Sequence, residues 1–191
     1  MGNSKVQQGD PRVHLEIVHI INNMTSAHYT TRLLTGDDWQ QWKAIRLESL
    51  QDSPAAFGRS YEEDCDKDDA YFRDGIEGNA IWGAFVGDDL VGVVGFSIER
   101  GERYRHKGKI FGVYTVPAAR GKGICKALLL LAIEYAKTKV MWLAIHVWTT
   151  NLAAYRLYES VGFVTYCTEV NCLRVSDTEV VDYHFMRIDF A

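Results

Sequence analysis

The stretch from Lys109 to Lys126 constrains this chain more than any other. Lys109 to Val116 reads as a β-strand that stops at Pro117. Arg120-Gly-Lys-Gly-Ile-Cys-Lys126 follows, and it opens a stripe at helical spacing: Ile124, Ala127, Leu128, Leu131 and Tyr135. A strand that turns through glycines straight into a helix belongs to folds in which helices pack on a sheet. The turn also has chemical potential. Glycines let backbone N–H groups approach an anion, and a helix N-terminus adds unpaired donors and about half a positive charge. Lys122 and Lys126 add formal charge. The pattern suits a phosphate or pyrophosphate, and the bland alternative is a helix start with convenient glycines.

The surrounding pattern agrees with a sheet covered by helices. Thr30 to Thr35 reads as a strand. Gly36-Asp37-Asp38 then offers an N-cap for a helix carrying Trp39, Trp42, Ile45, Leu47 and Leu50, stopped at Asp52-Ser53-Pro54. A second helix is expected over Tyr61 to Ile76, with acids in its first turns and Gly78-Asn79 at its end. Ala80 to Val86 and Leu90 to Ile98 form a hairpin around Gly87-Asp88-Asp89. A helix over Gly121 to Thr138, a strand over Val140 to Trp148 and a short helix over Asn151 to Val161, closed by Gly162, come next. Phe163 to Glu169 and Val180 to Phe190 are the last strands. Residues 29–191 are expected to form a single domain. Residues 1–28 read as an N-terminal extension, with an added strand over Leu15 to Ile21 and Met24 as an alternative natural start.

Composition excludes several classes. With 21 Lys+Arg against 25 Asp+Glu, net charge −4, the chain lacks the basic excess of a nucleic-acid binder. No apolar run approaches the roughly 18–20 residues of a membrane span. Cys65, Cys125, Cys167 and Cys172 form no CxxC pair, which leaves reduced thiols, a cytoplasmic setting and no zinc site as the simplest expectation. Asp64, Asp66 and Asp68 mimic the start of a calcium loop. Asp69 replaces its glycine and Gly75 its closing acid. The run Glu62 to Asp69 therefore reads as a solvated helix face, with attraction of a cationic amine as the alternative. Ser97 has only half of a GxSxG elbow, which dismisses a serine hydrolase.

Two phosphate motifs fail on specific residues. Ile124 stands where a Walker loop needs Ser or Thr, and Lys126 where a dinucleotide fingerprint needs its third glycine. What the stretch does resemble is the [QR]xxGx[GA] loop of GCN5-related N-acetyltransferases, the GNAT family, in Arg120-Gly-Lys-Gly123-Ile-Cys125. A second block, Asn151-Leu-Ala-Ala-Tyr-Arg-Leu-Tyr158-Glu-Ser-Val-Gly-Phe163, is similar to the family's NxxAxxLYxxxGF helix. Leu47 to Gly58 also looks like a subgroup of these enzymes. The resemblance covers roughly residues 30–190. One residue departs from the pattern: Cys125 stands where the family has Gly or Ala, and a small, often buried thiol still leaves room for the coenzyme.

The resemblance implies an α/β (α+β) fold: a mixed, mostly antiparallel sheet of about seven strands and about four helices, with two central strands splayed apart. It implies acetyl-coenzyme A as co-substrate and no metal. Val113, Tyr114 and Thr115 would pair with the pantetheine arm. Arg120, Gly121, Lys122, Gly123, Ile124, Cys125 and Lys126 would hold the pyrophosphate. Asn151 would touch the coenzyme while capping its helix. Tyr158 would protonate the departing thiolate, a task that suits a phenol of pKa about 10. For the general base, relatives acting on protein N-termini place an acid five residues before the Asn, and here that position holds His146. An imidazole of pKa about 6.5 can take the proton. Glu99 is the second candidate. The expected activity is acetyl transfer to a primary amine, either a small molecule or a peptide N-terminus. The rival is a non-catalytic acyl-coenzyme A sensor, which would not need Tyr158. Expected partners are the amine acceptor and no nucleic acid or membrane, with a homodimer allowed.

Overall fold

The computed structural model of the chain describes residues 29–190. The expectations placed on residues 1–28 lie outside the described residues. In chain order the elements are β1 (Thr30–Leu33), α1 (Trp39–Asp52), α2 (Tyr61–Asp64), α3 (Asp69–Glu77), β2 (Ala80–Val86), β3 (Asp89–Ile98), β4 (Lys107–Thr115), α4 (Ile124–Lys137), β5 (Trp142–Trp148), α5 (Leu152–Ser160), β6 (Val164–Arg174) and β7 (Val180–Asp189). The strands make one seven-stranded sheet in the order β1-β2-β3-β4-β5-β7-β6. Only β4 and β5 run parallel; the other neighbours are antiparallel. The expected mixed, mostly antiparallel sheet is therefore present, with five α-helices rather than about four.

Alternation along the strands feeds two separate cores. Val94 and Phe96 of β3 join Leu143 and Ile145 of β5 against α4, where Leu128, Leu129, Ala132 and Ala136 are fully buried. Val93, one residue away, points to the opposite face with Ile81 and Phe85, against Trp42, Ile45 and Leu50 of α1 and Phe72 and Ile76 of α3. Each fully buried leucine contributes about 2 kcal/mol of hydrophobic stabilisation.

Three elements differ from the sequence reading by more than two residues. The helix expected over Tyr61 to Ile76 is two helices. Ser60 and Glu63 exchange hydrogen bonds as a capping box that starts α2, and the Asp68 carboxylate accepts the Tyr71 N–H at 2.9 Å to start α3 afresh. The helix expected from Gly121 begins at Ile124, because Gly121 and Gly123 adopt φ of +76° and +77°, outside any right-handed helix. Strand β6 runs to Arg174, well past Glu169, following β7 through two register shifts with Asn171 at φ +55°. No helix among the described residues is long and apolar enough to cross a membrane.

Candidate active site

The Pro117–Ala119 turn carries the chain from β4 to the glycine loop. A Cβ at Gly121 or Gly123 would meet nothing within 4 Å, so glycine is required there for its left-handed backbone and not for lack of room. Gly123 caps α4 without a side-chain hydrogen bond, which leaves the first-turn N–H groups of a 14-residue helix without a capping side chain. Lys126 borders the open space there, while Lys122 turns back to donate to the Ala118 carbonyl at 3.1 Å. Arg120 is engaged by the protein itself. Its Nε donates to the Thr115 carbonyl at 3.0 Å, an Nη donates to the Asp52 carboxylate, and the guanidinium covers the Tyr114 ring. That hydrogen bond is the main cause holding the Asp52 carboxyl below its usual range.

β4 and β5 pair only from Lys107↔Trp142 to Lys109↔Ala144. Beyond that point no ladder joins them, so each presents an edge without a strand neighbour to the space between. The glycine at position 112 sets the course of β4. It takes φ +62° where two β4 residues oppose one β3 residue, a bulge that bends the strand. After the bulge Val113 borders the opening. Tyr114 is buried and donates its hydroxyl to Glu48 of α1 at 3.1 Å. Burial first, then Glu48, raises the Tyr114 pKa. Thr115 is buried, and its Oγ1 has no hydrogen-bond partner among the described residues. Ser97 Oγ and Trp148 Nε1 share that condition.

α5 supplies the far wall. Asn151 caps it, its Oδ1 accepting the Ala154 N–H at 3.1 Å. Two turns later Tyr158 is buried beside Phe163. Burial raises its pKa, with Cys125 and Tyr183 adding to the shift. Burial also pushes the Cys125 thiol up to about 12, so both the phenol and the thiol that border the cleft stay protonated at neutral pH.

Glu99 and His146 lie 47 residues apart in sequence and share one patch. Lys109 Nζ stands 3.8 Å from the Glu99 carboxylate. Partial desolvation, chiefly, lowers the His146 pKa below its usual 6.5, although the side chain keeps exposed surface. Lys109 lowers it further, and Glu99 opposes both. The imidazole ring packs on Phe185 at 4.3 Å between centroids.

Together these walls enclose a cleft of about 2210 Å³. Of the residues singled out from the sequence, Val113, Tyr114, Thr115, Arg120, Gly121, Gly123, Ile124, Cys125, Lys126, Asn151, Tyr158, His146 and Glu99 all border it; Lys122 does not. Sequence reasoning missed Lys109, Trp148 and the pair Arg46 and Arg59. Arg46 was legible in principle, since it lies on the stripe of Trp42 and Leu50 at i+4 spacing, a charge on an apolar face.

The acidic run is not simply a solvated face. Asp64 is completely buried, held by Arg59 Nε at 2.6 Å, Arg46 Nε at 3.2 Å and the Tyr71 hydroxyl at 3.4 Å. A buried carboxylate needs such partners, and neither arginine is adjacent to it in sequence. Among the described residues no group of three or more His, Cys, Asp or Glu is arranged to hold a metal.

Residues 39–163 match the model of the Acetyltransferase (GNAT) family. Mycothiol acetyltransferase of Streptomyces scabiei is 28% identical over 136 residues, which is 71% of this chain and 42% of that protein. Mycothiol acetyltransferase of Renibacterium salmoninarum is 42% identical over 57 residues, 29% of this chain and 17% of that protein. The chain thus spans less than half the length of these curated relatives. Among solved structures, a GNAT-family acetyltransferase from Streptococcus pneumoniae superposes with a TM-score of 0.75 at 20% identity, over 84% of this chain and 99% of that one. The Salmonella typhimurium protein yncA, solved with its cofactor acetyl-CoA, gives 0.76 at 20% identity, over 86% and 95%. Ribosomal-protein-alanine N-acetyltransferase from Brucella melitensis gives 0.69 at 24% identity, over 84% and 99%.

Proposed function

The chain belongs to the GNAT acetyltransferase family, and from that premise we propose that it moves the acetyl group of acetyl-coenzyme A to a primary amine, a small molecule or a peptide N-terminus. The observation that carries this reading is the divergence of β4 from β5 beside the glycine loop, with Tyr158 on the opposite wall. The residues fit the co-substrate. The space around Gly121 and Gly123 accommodates a pyrophosphate, and the partnerless Thr115 Oγ1 and the open β4 edge suit an arm rich in amide groups.

When bound, acetyl-coenzyme A supplies a thioester carbonyl for direct attack by the amine. The N–H groups of the loop and the first turn of α4, with Lys126, hold the pyrophosphate. The edge of β4 aligns the arm, and a backbone N–H at Tyr114 or Thr115 stabilises the developing oxyanion, a preorganised donor worth about 3 kcal/mol. His146 takes the proton released by the attacking nitrogen, directly or through a water. Its lowered pKa keeps it neutral and receptive at pH 7. Tyr158 donates its O–H to the departing sulfur. Because burial raises its pKa, it acts as a hydrogen-bond donor throughout the neutral range and offsets charge as it forms on sulfur.

Release of coenzyme A across a panel of polyamines, aminoglycosides, amino acids and peptides with free N-termini tests the reading. Turnover on one class supports it. Absence of both acetyl-coenzyme A binding and turnover would remove it.

A further inference from the structure

We propose that the acceptor amine carries a carboxylate, recognised at the α1 side of the cleft by Arg46 and Arg59. This rests on the acetyltransferase reading and adds the class of acceptor to it.

The two arginines converge from different elements on one buried acid. Arg46 comes from α1, one turn beyond Trp42, whose ring packs against the β4 bulge at Gly112. Arg59 comes from the segment between Pro54 and α2. Both use Nε to hold Asp64, which has no exposed surface and does not border the cleft. Arg46 and Arg59 do border it, with side chains 15% and 40% exposed. The cleft therefore faces the arginines and not the acid that fixes them. Two guanidiniums against one carboxylate leave a net charge of +1.

The donors left over suit a planar anion. Both terminal amino groups of Arg46 have no acceptor among the described residues, and Arg59 uses one of its own on the Glu63 carbonyl. Arg46 is further held by the Phe57 ring beneath it, 5.1 Å from the guanidinium carbon. A guanidinium fixed through Nε presents its remaining N–H groups as a fork, the geometry that matches a carboxylate. Asp74, Glu77 and Glu99 also border the cleft, and none accepts a hydrogen bond from either arginine among the described residues. The amine end of the acceptor lies toward the β4–β5 opening, near His146.

Paired acceptors test this. A series of α-, β- and γ-amino acids and dipeptides is compared, each with its own carboxamide, by kcat/KM from coenzyme A release. The expected result is at least about a tenfold preference for the acid on the best scaffold, as two charge-assisted hydrogen bonds require. Arg46→Lys and Arg59→Lys should shrink that ratio toward one while keeping the buried charge partner of Asp64. Acetyl-coenzyme A binding by calorimetry confirms that each variant is folded. Three results would overturn the inference and leave acetyl transfer standing: equal or better turnover of the amides, a ratio unchanged in both variants, or turnover confined to amines without a carboxylate. Absence of acetyl-coenzyme A binding and of turnover on every amine would overturn the acetyltransferase reading, and this inference with it.

Discussion

Arg120 reaches out of the glycine loop to the carboxylate of Asp52, the last residue of α1, joining parts of the chain 68 residues apart. The same guanidinium holds the Thr115 carbonyl at the end of β4. Arg120 thus sets the position of the loop relative to the strand. Asp52→Asn keeps the shape and removes the charge. The expected outcome is a rise of about fivefold in KM for acetyl-coenzyme A with a smaller change in kcat, consistent with a partly exposed pair worth about 1 kcal/mol. Steady-state kinetics at saturating amine would show it, and a pure kcat defect would contradict it.

Tyr158→Phe removes the hydroxyl of a buried residue that borders the cleft. Loss of a hydroxyl without a protein partner among the described residues leaves stability unchanged or slightly improved. Activity behaves otherwise: kcat should fall by about 10²-fold, with acetyl-coenzyme A affinity retained. Thermal unfolding and single-turnover rates together separate this from a packing role, which would lower both.

The rate profile in pH should carry an acidic limb below pH 6.5, because His146 must be neutral to accept a proton and its pKa is lowered. Removing Lys109 removes a lowering influence, so Lys109→Met should move the limb to higher pH. Glu99→Gln should move it to lower pH while preserving the plateau rate. Collapse of the plateau in Glu99→Gln would reassign the base to Glu99. The measurement is kcat against pH for the three proteins.

Arg32 grips Asp38 through two hydrogen bonds, and the Thr35 N–H adds a third, so the Asp38 carboxyl is held at about 2 against its usual 3.8. A depressed carboxyl stabilises the folded state above its unfolded pKa. That contribution is lost as pH falls from about 4 through 2. Allowing for the half-exposed Arg32, Asp38→Asn should cost about 1–2 kcal/mol at pH 7 and almost nothing near pH 2. Urea unfolding at the two pH values checks it.

Much of this architecture is legible in the residues. The Gly87-Asp88 turn, the Pro117 stop and the Asn151 cap all lie where turn and capping chemistry puts them, because such signals act over two to four residues. Longer-range facts are not legible. Asp64 sits among five other acids that look solvated, and nothing in Glu62 to Asp69 reveals that Arg46 and Arg59 will enclose one of them. Glu99 and His146 read as competing choices. They meet only because β3, β4 and β5 lie side by side, which brings Lys109 between them. The start of α4 is not legible for a local reason: a glycine reaches positive φ about as readily as negative φ, and composition does not say which.

The short ladder between β4 and β5 has a further consequence for how this molecule stays out of trouble with its neighbours. An unpaired strand edge at the margin of a sheet is a template for the strands of other chains. Here the open edges face each other inside the sheet, in a wedge closed at Lys109 and Ala144. Another protein's strand carries side chains that alternate to both faces, and α1 and α4 already cover those faces. A slender chain of amides without side branches meets no such obstacle. The wedge therefore works as a filter on thickness, leaving its edges open to a thin ligand while excluding the strands of other chains from pairing along them.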